Sequence, residues 1–248
     1  MLKVRVIPIL TFNGFGLVKT KNFSDPRMVG NPVQAARVYN SRGVDELVFL
    51  DIFASEQKRK LNLKLIGDVI KECYMPVAIG GGIETIEDIN SLLKIGADKV
   101  VIKTKALIDI NFIKQAVAFF GSQCITIAVD VGRESNEYKI LYKLGIELKL
   151  DDFIKQMENC EVGEFVLTSV DRDGLMKGFD IELVDYFMSV TKIPVIAVGG
   201  GGEMIHYSEL FTKTKVEAVG SASIFHFTQF TPMDIKKELL AHKIPVRI

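Results

Sequence analysis

The segment MPVAIGGGIET at residues 75–85 returns as IPVIAVGGGGEM at 193–204, with Pro76 and Pro194 marking the offset. DELVFLDI from Asp45 likewise returns as GEFVLTSV from Gly163, and VVIKTKA returns loosely as AVGSASI. Self-similarity at half the chain length means two similar supersecondary blocks, here approximately 1–121 and 122–248. Each block alternates short β-branched runs with amphipathic helical stretches. The strand candidates are VRVIPIL, DELVFLDI, MPVAIGG, DKVVIK, CITIAVD, EFVLTSV, IPVIAVGG and EAVGSAS, with helical patterns such as NPVQAARVYNSRG and PMDIKKELLAHK between or after them. Near-continuous apolar strands are buried on both faces, as parallel sheets are. Eight of them with intervening helices in 248 residues predict an α/β fold, a single-domain (β/α)8 barrel over 1–248. A flavodoxin-like or Rossmann sheet normally uses fewer strands.

Charge and cysteine content narrow the function classes. Lys+Arg and Asp+Glu are both 31, so the formal net charge is zero and no overall positive field invites nucleic acid or an anionic membrane. Any phosphate binding is then local. Cys73, Cys124 and Cys160 lie far apart without CxxC spacing, which predicts no zinc site, a reducing compartment and three buried thiols. No apolar run of about 18 residues appears, and the first residues lack a signal-peptide pattern, so the expected location is the cytoplasm.

In a barrel the chemistry sits at the C-terminal strand ends. The first strand ends at Thr11 and the fifth, half a chain later, at Asp130. The mouth thus receives a hydroxyl from one half and a carboxylate from the other. GGGI at 80–83 and GGGG at 199–202 both follow apolar strands and precede helices. Glycine lets backbone N–H groups close on an anion, and a helix N-terminus adds its positive end. One expected phosphate cradle is Gly200, Gly201, Ala222 and Ser223; its mirror is Gly81, Gly82, Lys103 and Thr104. Two cradles suit a ligand with an anion at each end, although glycines also simply permit tight turns.

At the other end of the strands, period-2 alternation puts Arg5 on one line with Ile7, Ile9 and Thr11, about 20 Å below the last. Glu46, Lys99 and Glu164 open strands 2, 4 and 6. A barrel-floor layer of four charges from alternate strands is predicted, either a salt-bridged plug or the gate of a passage.

Taken with DELVFLDIFAS, AIGGGIE, GADKV, FGSQ, AVD, LTSVDRDG, AVGGGG and SIFHF, these features resemble the HisF family, the cyclase subunit of imidazole glycerol phosphate synthase, nearly end to end. The resemblance implies that a HisH-like glutaminase docks on the floor. Ammonia then passes a gate of Arg5, Glu46, Lys99 and Glu164, and reacts at the mouth with a phosphorylated or nucleotide-linked small molecule. It implies a partner contact at Asp98, a mobile-loop lysine at Lys19, acid-base work at Asp130, and substrate contacts at Thr168, Asp173 and Gly174. No metal and no cofactor are expected.

The departures lie at the mouth. Thr11 stands where the family has a second catalytic aspartate, Lys103 where it has asparagine, and the hairpin segment YKILYKLGIEL at 138–148 is shorter than usual. That pattern resembles HisF-like paralogues that amidate bacterial surface sugars beside a separate ATP-using enzyme. Three functions are therefore in play: sugar amidation, histidine-pathway cyclisation with Asp171 or Asp173 as substitute acid, and a non-catalytic scaffold for the glutaminase. Asp173 reads first as a loop-shaping residue beside the Asp-Gly turn. His206 and His226 read as packing histidines.

Overall fold

The computed structural model describes residues 3–135, 137–141 and 148–248. In chain order its strands are β1 (Arg5–Phe12), β2 (Leu17–Lys21), β3 (Ser24–Gly30), β4 (Leu47–Asp51), β5 (Val77–Gly80), β6 (Lys99–Ile102), β7 (Ile125–Glu134), β8 (Glu137–Ile140), β9 (Glu164–Ser169), β10 (Val195–Val198) and β11 (Ala218–Ser221). The helices are α1 (Pro32–Ser41), α2 (Leu63–Ile70), α3 (Ile86–Lys94), α4 (Thr104–Ile108), α5 (Ile110–Phe120), α6 (Leu150–Asn159), α7 (Ile181–Val190), α8 (Met204–Lys213), α9 (Ser223–Phe227) and α10 (Pro232–Ala241). Strands β1, β4, β5, β6, β7, β9, β10 and β11 pair in that order, all parallel, and β11 pairs back onto β1 from Arg5↔Ala218 to Pro8↔Ser221. The eight strand candidates thus close into one (β/α)8 barrel.

Alternation along each strand decides what fills it. Ile7, Ile9, Val48, Val101, Val166 and Ile196 point inward and form one buried cluster. Their neighbours Leu10, Phe49, Ile127 and Phe165 point outward into the larger core under the helices. There Phe165 meets Phe187 of α7 edge to face, with ring centroids 5.1 Å apart. Burial on both faces is why these strands read as unbroken apolar runs.

Helix starts follow from local chemistry. Asn31 accepts from the N–H groups of Val33 and Gln34 at 2.9 and 3.2 Å, with Pro32 at the first helical position. Thr85 with Asp88, and Thr231 with Asp234, form reciprocal capping boxes. The five-residue helices α4 and α9 differ, since Lys103 and Ala222 before them supply no side-chain cap.

Four expectations need correcting. β1 runs one residue past Thr11, placing Phe12 opposite Asp51 of β4. Of the cysteines only Cys160 is buried, while Cys73 and Cys124 are half-buried. The charged layer is not drawn from alternate strands: Arg5 opens β1, and the eighth barrel strand contributes only Ala218 opposite it, whose small side chain lets the arginine lean into the layer. Finally, an antiparallel hairpin of β2 and β3 follows β1 where a plain loop was expected. Its turn carries positive φ at Asn22, Phe23 and Asp25, conformations without a Gly signal to announce them. What holds it is tertiary: the Asn22 N–H donates to the Asp173 carbonyl at 3.0 Å and its side-chain amide to the Val170 carbonyl at 3.0 Å. The second expected hairpin is present where described, β8 pairing β7, and its segment 142–147 lies outside the described residues.

Candidate functional site

At the floor, the four charged side chains form a closed ring. Arg5 bonds Glu46 at 2.7 Å and also Glu164, while Lys99 bonds Glu46 at 2.9 Å and Glu164 at 2.9 Å. Each carboxylate therefore sees both cations, which is what offsets the desolvation cost of placing charge inside a barrel. Burial opposes the Arg5 charge, but Glu164 and then Glu46 outweigh it, and the guanidinium is held above its ordinary pKa. Beside the ring, exposed Asp98 accepts from the Val77 N–H at 2.8 Å. Just inside, Thr126 of β7 stands opposite Glu164, 1% exposed, and its hydroxyl has no hydrogen-bond partner among the described residues. No sequence signal separated Thr126 from an ordinary strand threonine.

At the mouth, Asp130, Asp171 and Asp173 are each engaged. Asp130 ends the inward line Thr126, Ala128, Asp130 and lies beside Thr168 on β9. Its Oδ2 receives Lys103 Nζ at 2.6 Å, so the lysine expected to assist a phosphate cradle is turned onto the expected catalytic carboxylate. Lys103 also lies over the Phe23 ring, 5.9 Å from its centroid. Lys19 grips both oxygens of Asp173 at 2.8 and 3.0 Å with both side chains buried, so hairpin lysine and loop aspartate form one unit. Thr11 is half-buried and its hydroxyl donates to the Val18 carbonyl, which spends it on holding β2. Asp171 accepts the Arg133 N–H at 2.8 Å.

A further pair escaped the sequence reading. Asp51, buried at the end of β4, receives Arg59 through two bonds of 2.7 and 3.0 Å. Asp51 was visible as the last residue of DELVFLD, but Arg59 sat in a charged loop that offered no pattern. His206 uses Nδ1 to accept from the Gly202 and Glu203 N–H groups and so caps α8. Burial, with the Lys19 charge added, pushes the His226 imidazole below its ordinary pKa. His206 is thus occupied structurally, while His226 is half-buried on α9.

The glycine runs behave as a pair, shifted by one residue from expectation. Gly81 and Gly82 have φ +112° and +59°, and their counterparts in conformation are Gly199 and Gly200 at +99° and +111°. Gly201 is glycine for another reason, because a Cβ there would meet Tyr207 Oη at 2.5 Å. Gly82 donates to Ser55 Oγ at 3.3 Å and borders a cleft of about 200 Å³ with Lys60 and Asp88. Lys103 and Ala222 take nearly the same backbone conformation, φ/ψ −120°/−76° and −130°/−62°, and present the uncapped starts of α4 and α9 at Thr104 and Ser223. These N–H groups can receive an anion. Gly174, expected at the substrate, is at φ +72°, and a Cβ there would lie 2.3 Å from the Thr20 carbonyl. Its smallness admits the hairpin.

Set beside known proteins, the chain matches the family model described as "Histidine biosynthesis protein" over residues 5–231. It is 38% identical to the imidazole glycerol phosphate synthase subunit HisF of Streptococcus mutans and 38% identical to that of Methanococcus vannielii. It is 41% identical to a Campylobacter jejuni protein provisionally named imidazole glycerol phosphate synthase subunit hisF2. All of this chain and all of each relative are covered in the three alignments. A closed eight-stranded barrel, a four-charge ring across its floor and full-length identity near two residues in five converge: the chain belongs to the HisF family of histidine biosynthesis proteins.

Proposed function

We propose that the protein is the synthase subunit of a glutamine amidotransferase complex. A HisH-like glutaminase docks on the floor near Asp98, and the ring of Arg5, Glu46, Lys99 and Glu164 passes ammonia into the barrel. The ammonia is used at the mouth by a phosphorylated or nucleotide-linked substrate seated on two anion cradles, Gly81, Gly82 and Thr104 on one side and Gly200 and Ser223 on the other, in two like half-barrels, 1–121 and 122–248. The observation that carries this reading is the ring itself, four inward charges that, among the described residues, pair with one another at the end of the barrel away from the mouth.

The finer reading is amidation of a bacterial surface sugar, with a separate ATP-using enzyme activating the amide. Its support is the mouth: Thr11 spends its hydroxyl on a backbone carbonyl, and Lys103 occupies Asp130. The second reading, cyclisation in histidine biosynthesis, is favoured by the full-length kinship with named HisF proteins.

The test combines the barrel with a HisH-like glutaminase. Product is followed from nucleotide-linked amino sugars with the ATP-using partner, and from the ribonucleotide substrate of imidazole glycerol phosphate synthase. Lys99→Ala is expected to uncouple glutamine hydrolysis from product formation while activity with ammonium chloride stays within a few-fold. Equal loss of both activities in a folded variant would make the ring a structural plug.

A further inference from the structure

The mouth presents a puzzle of proton supply. Joining ammonia to a carbon doubly bonded to oxygen forms a C–N bond and pushes the π pair onto oxygen. One proton must leave the nitrogen and one must reach the oxygen. Thr11 cannot deliver it, since a threonine hydroxyl does not ionise near neutral pH and this one is already donating to Val18. Asp51 is clamped by Arg59, a cation that does not give up its proton. Asp173 has both oxygens on Lys19, inside a pair whose side chains are only 6% and 9% exposed. Asp171 is engaged by a backbone amide. The two substitute acids that the sequence suggested are therefore tied into the loops.

Lys103 and Asp130 differ from these. Lys103 directly follows β6, just before α4, and Asp130 lies on the neighbouring strand β7; their side chains meet at the mouth, 2.6 Å apart. The Lys103 side chain is 42% exposed and that of Asp130 only 8%, so the ammonium faces the opening with the carboxylate behind it. We propose that Lys103 is the acid of this barrel and that it works with Asp130 as a proton-exchanging pair. The proposal rests on the ammonia-using reading and adds the residue that reading lacks.

The bookkeeping closes. Ammonia attacks the carbonyl carbon, Asp130 takes one proton from the new C–N⁺ nitrogen, and Lys103 gives one to the oxygen, yielding a carbinolamine. The pair is left as a carboxylic acid beside a neutral amine, and one proton crossing their shared hydrogen bond restores carboxylate and ammonium. A second identical round puts a proton on the hydroxyl, which departs as water, and removes one from nitrogen to leave the imine or amidine. Ammonia and carbonyl become C=N and water, with no net proton gained or lost by the protein.

Lys103→Arg separates this role from simple charge, because guanidinium keeps the cation next to Asp130 but does not release its proton. With ammonium chloride and the ribonucleotide substrate of imidazole glycerol phosphate synthase, Lys103→Arg and Lys103→Met are both expected to lose 100-fold or more in kcat, the usual contribution of a positioned acid. Substrate affinity by calorimetry should change little in the arginine variant. Turnover within a few-fold of the parent in Lys103→Arg would overturn the proposal, because charge alone would then suffice. A second measurement does not depend on that substrate. Pyridoxal phosphate, an aldehyde carrying a phosphate, followed by borohydride and peptide mapping, should modify Lys103 ahead of the other lysines if its amine deprotonates and reaches a carbonyl anchored at the mouth. Should the parent prove inert toward the ribonucleotide, the cyclase reading falls and this labelling decides: modification spread over surface lysines with Lys103 spared would overturn the proposal.

Discussion

Thr126 shows how little separates an ordinary strand residue from a costly one. A buried hydroxyl without a partner costs about 1–3 kcal/mol, and Thr126 has none among the described residues, opposite the Glu164 carboxylate, both of whose oxygens already serve Arg5 and Lys99. Valine has nearly the same shape and no polar atom. Thr126→Val should therefore stabilise the fold by about 1 kcal/mol, read as a rise in the urea midpoint at unchanged m-value. A drop of similar size would show that the hydroxyl is satisfied in solution. Residue identity alone did not reveal this: VRVIPIL and CITIAVD differ in hydroxyl content, but only the assembled barrel shows which hydroxyls find partners. The same limit applies to Lys103. Its position after the fourth barrel strand was legible and suggested a phosphate contact, whereas its pairing with Asp130 depends on which rotamer the neighbouring strand makes worthwhile.

At the scale of elements, the hairpin of β2 and β3 depends on one glycine far away in sequence. Gly174 adopts φ +72°, and its absent Cβ leaves room for the Thr20 carbonyl, which would otherwise lie at 2.3 Å. Gly174→Ala should cost about 1–3 kcal/mol through overpacking and backbone strain. Because the hairpin can lift away, much of that cost should appear locally, as faster protease cleavage within residues 17–30 at nearly unchanged global unfolding. Cleavage no faster than in the parent would show that the hairpin adapts without leaving its seat. The barrel strands were legible because period and composition repeat along the chain. The hairpin was not, since its turn uses Asn22, Phe23 and Asp25 at positive φ instead of a Gly pair, and its anchors Val170 and Asp173 arrive from the sixth barrel strand. The glycine runs were half legible: their place after the third and seventh barrel strands was plain, but which two glycines of the second run take positive φ was not, and they are Gly199 and Gly200, at the same offset from Pro194 as Gly81 and Gly82 are from Pro76.

Across the whole molecule, the chain's last helix is stitched to its beginning by a buried ion pair. Lys236 Nζ reaches Asp45 Oδ1 at 2.9 Å and the Gly43 carbonyl at 3.1 Å, while Asp45 Oδ2 receives the Val6 N–H at 2.9 Å, with both charged side chains 2% exposed. One aspartate thus joins β1, the entry to β4 and α10. Lys236→Met should destabilise the barrel by about 3–5 kcal/mol, because it strands a buried carboxylate. Adding Asp45→Asn should recover part of the loss, since the amide oxygen still accepts from Val6. Equilibrium urea unfolding measures both, and a Lys236→Met cost under about 1 kcal/mol would mean that the pair is hydrated in solution. The floor ring is a different kind of electrostatic object. Its two cations and two anions alternate around a closed circuit, so its monopole vanishes and its field dies away within a few ångströms of the barrel axis. Dissolved ions have nothing there to gather around, and screening acts weakly on pairs that are mostly shielded from solvent. Raising the ionic strength will therefore loosen the exposed Arg37–Glu72 and Lys60–Asp88 contacts on the helices while leaving the barrel floor as tight as before.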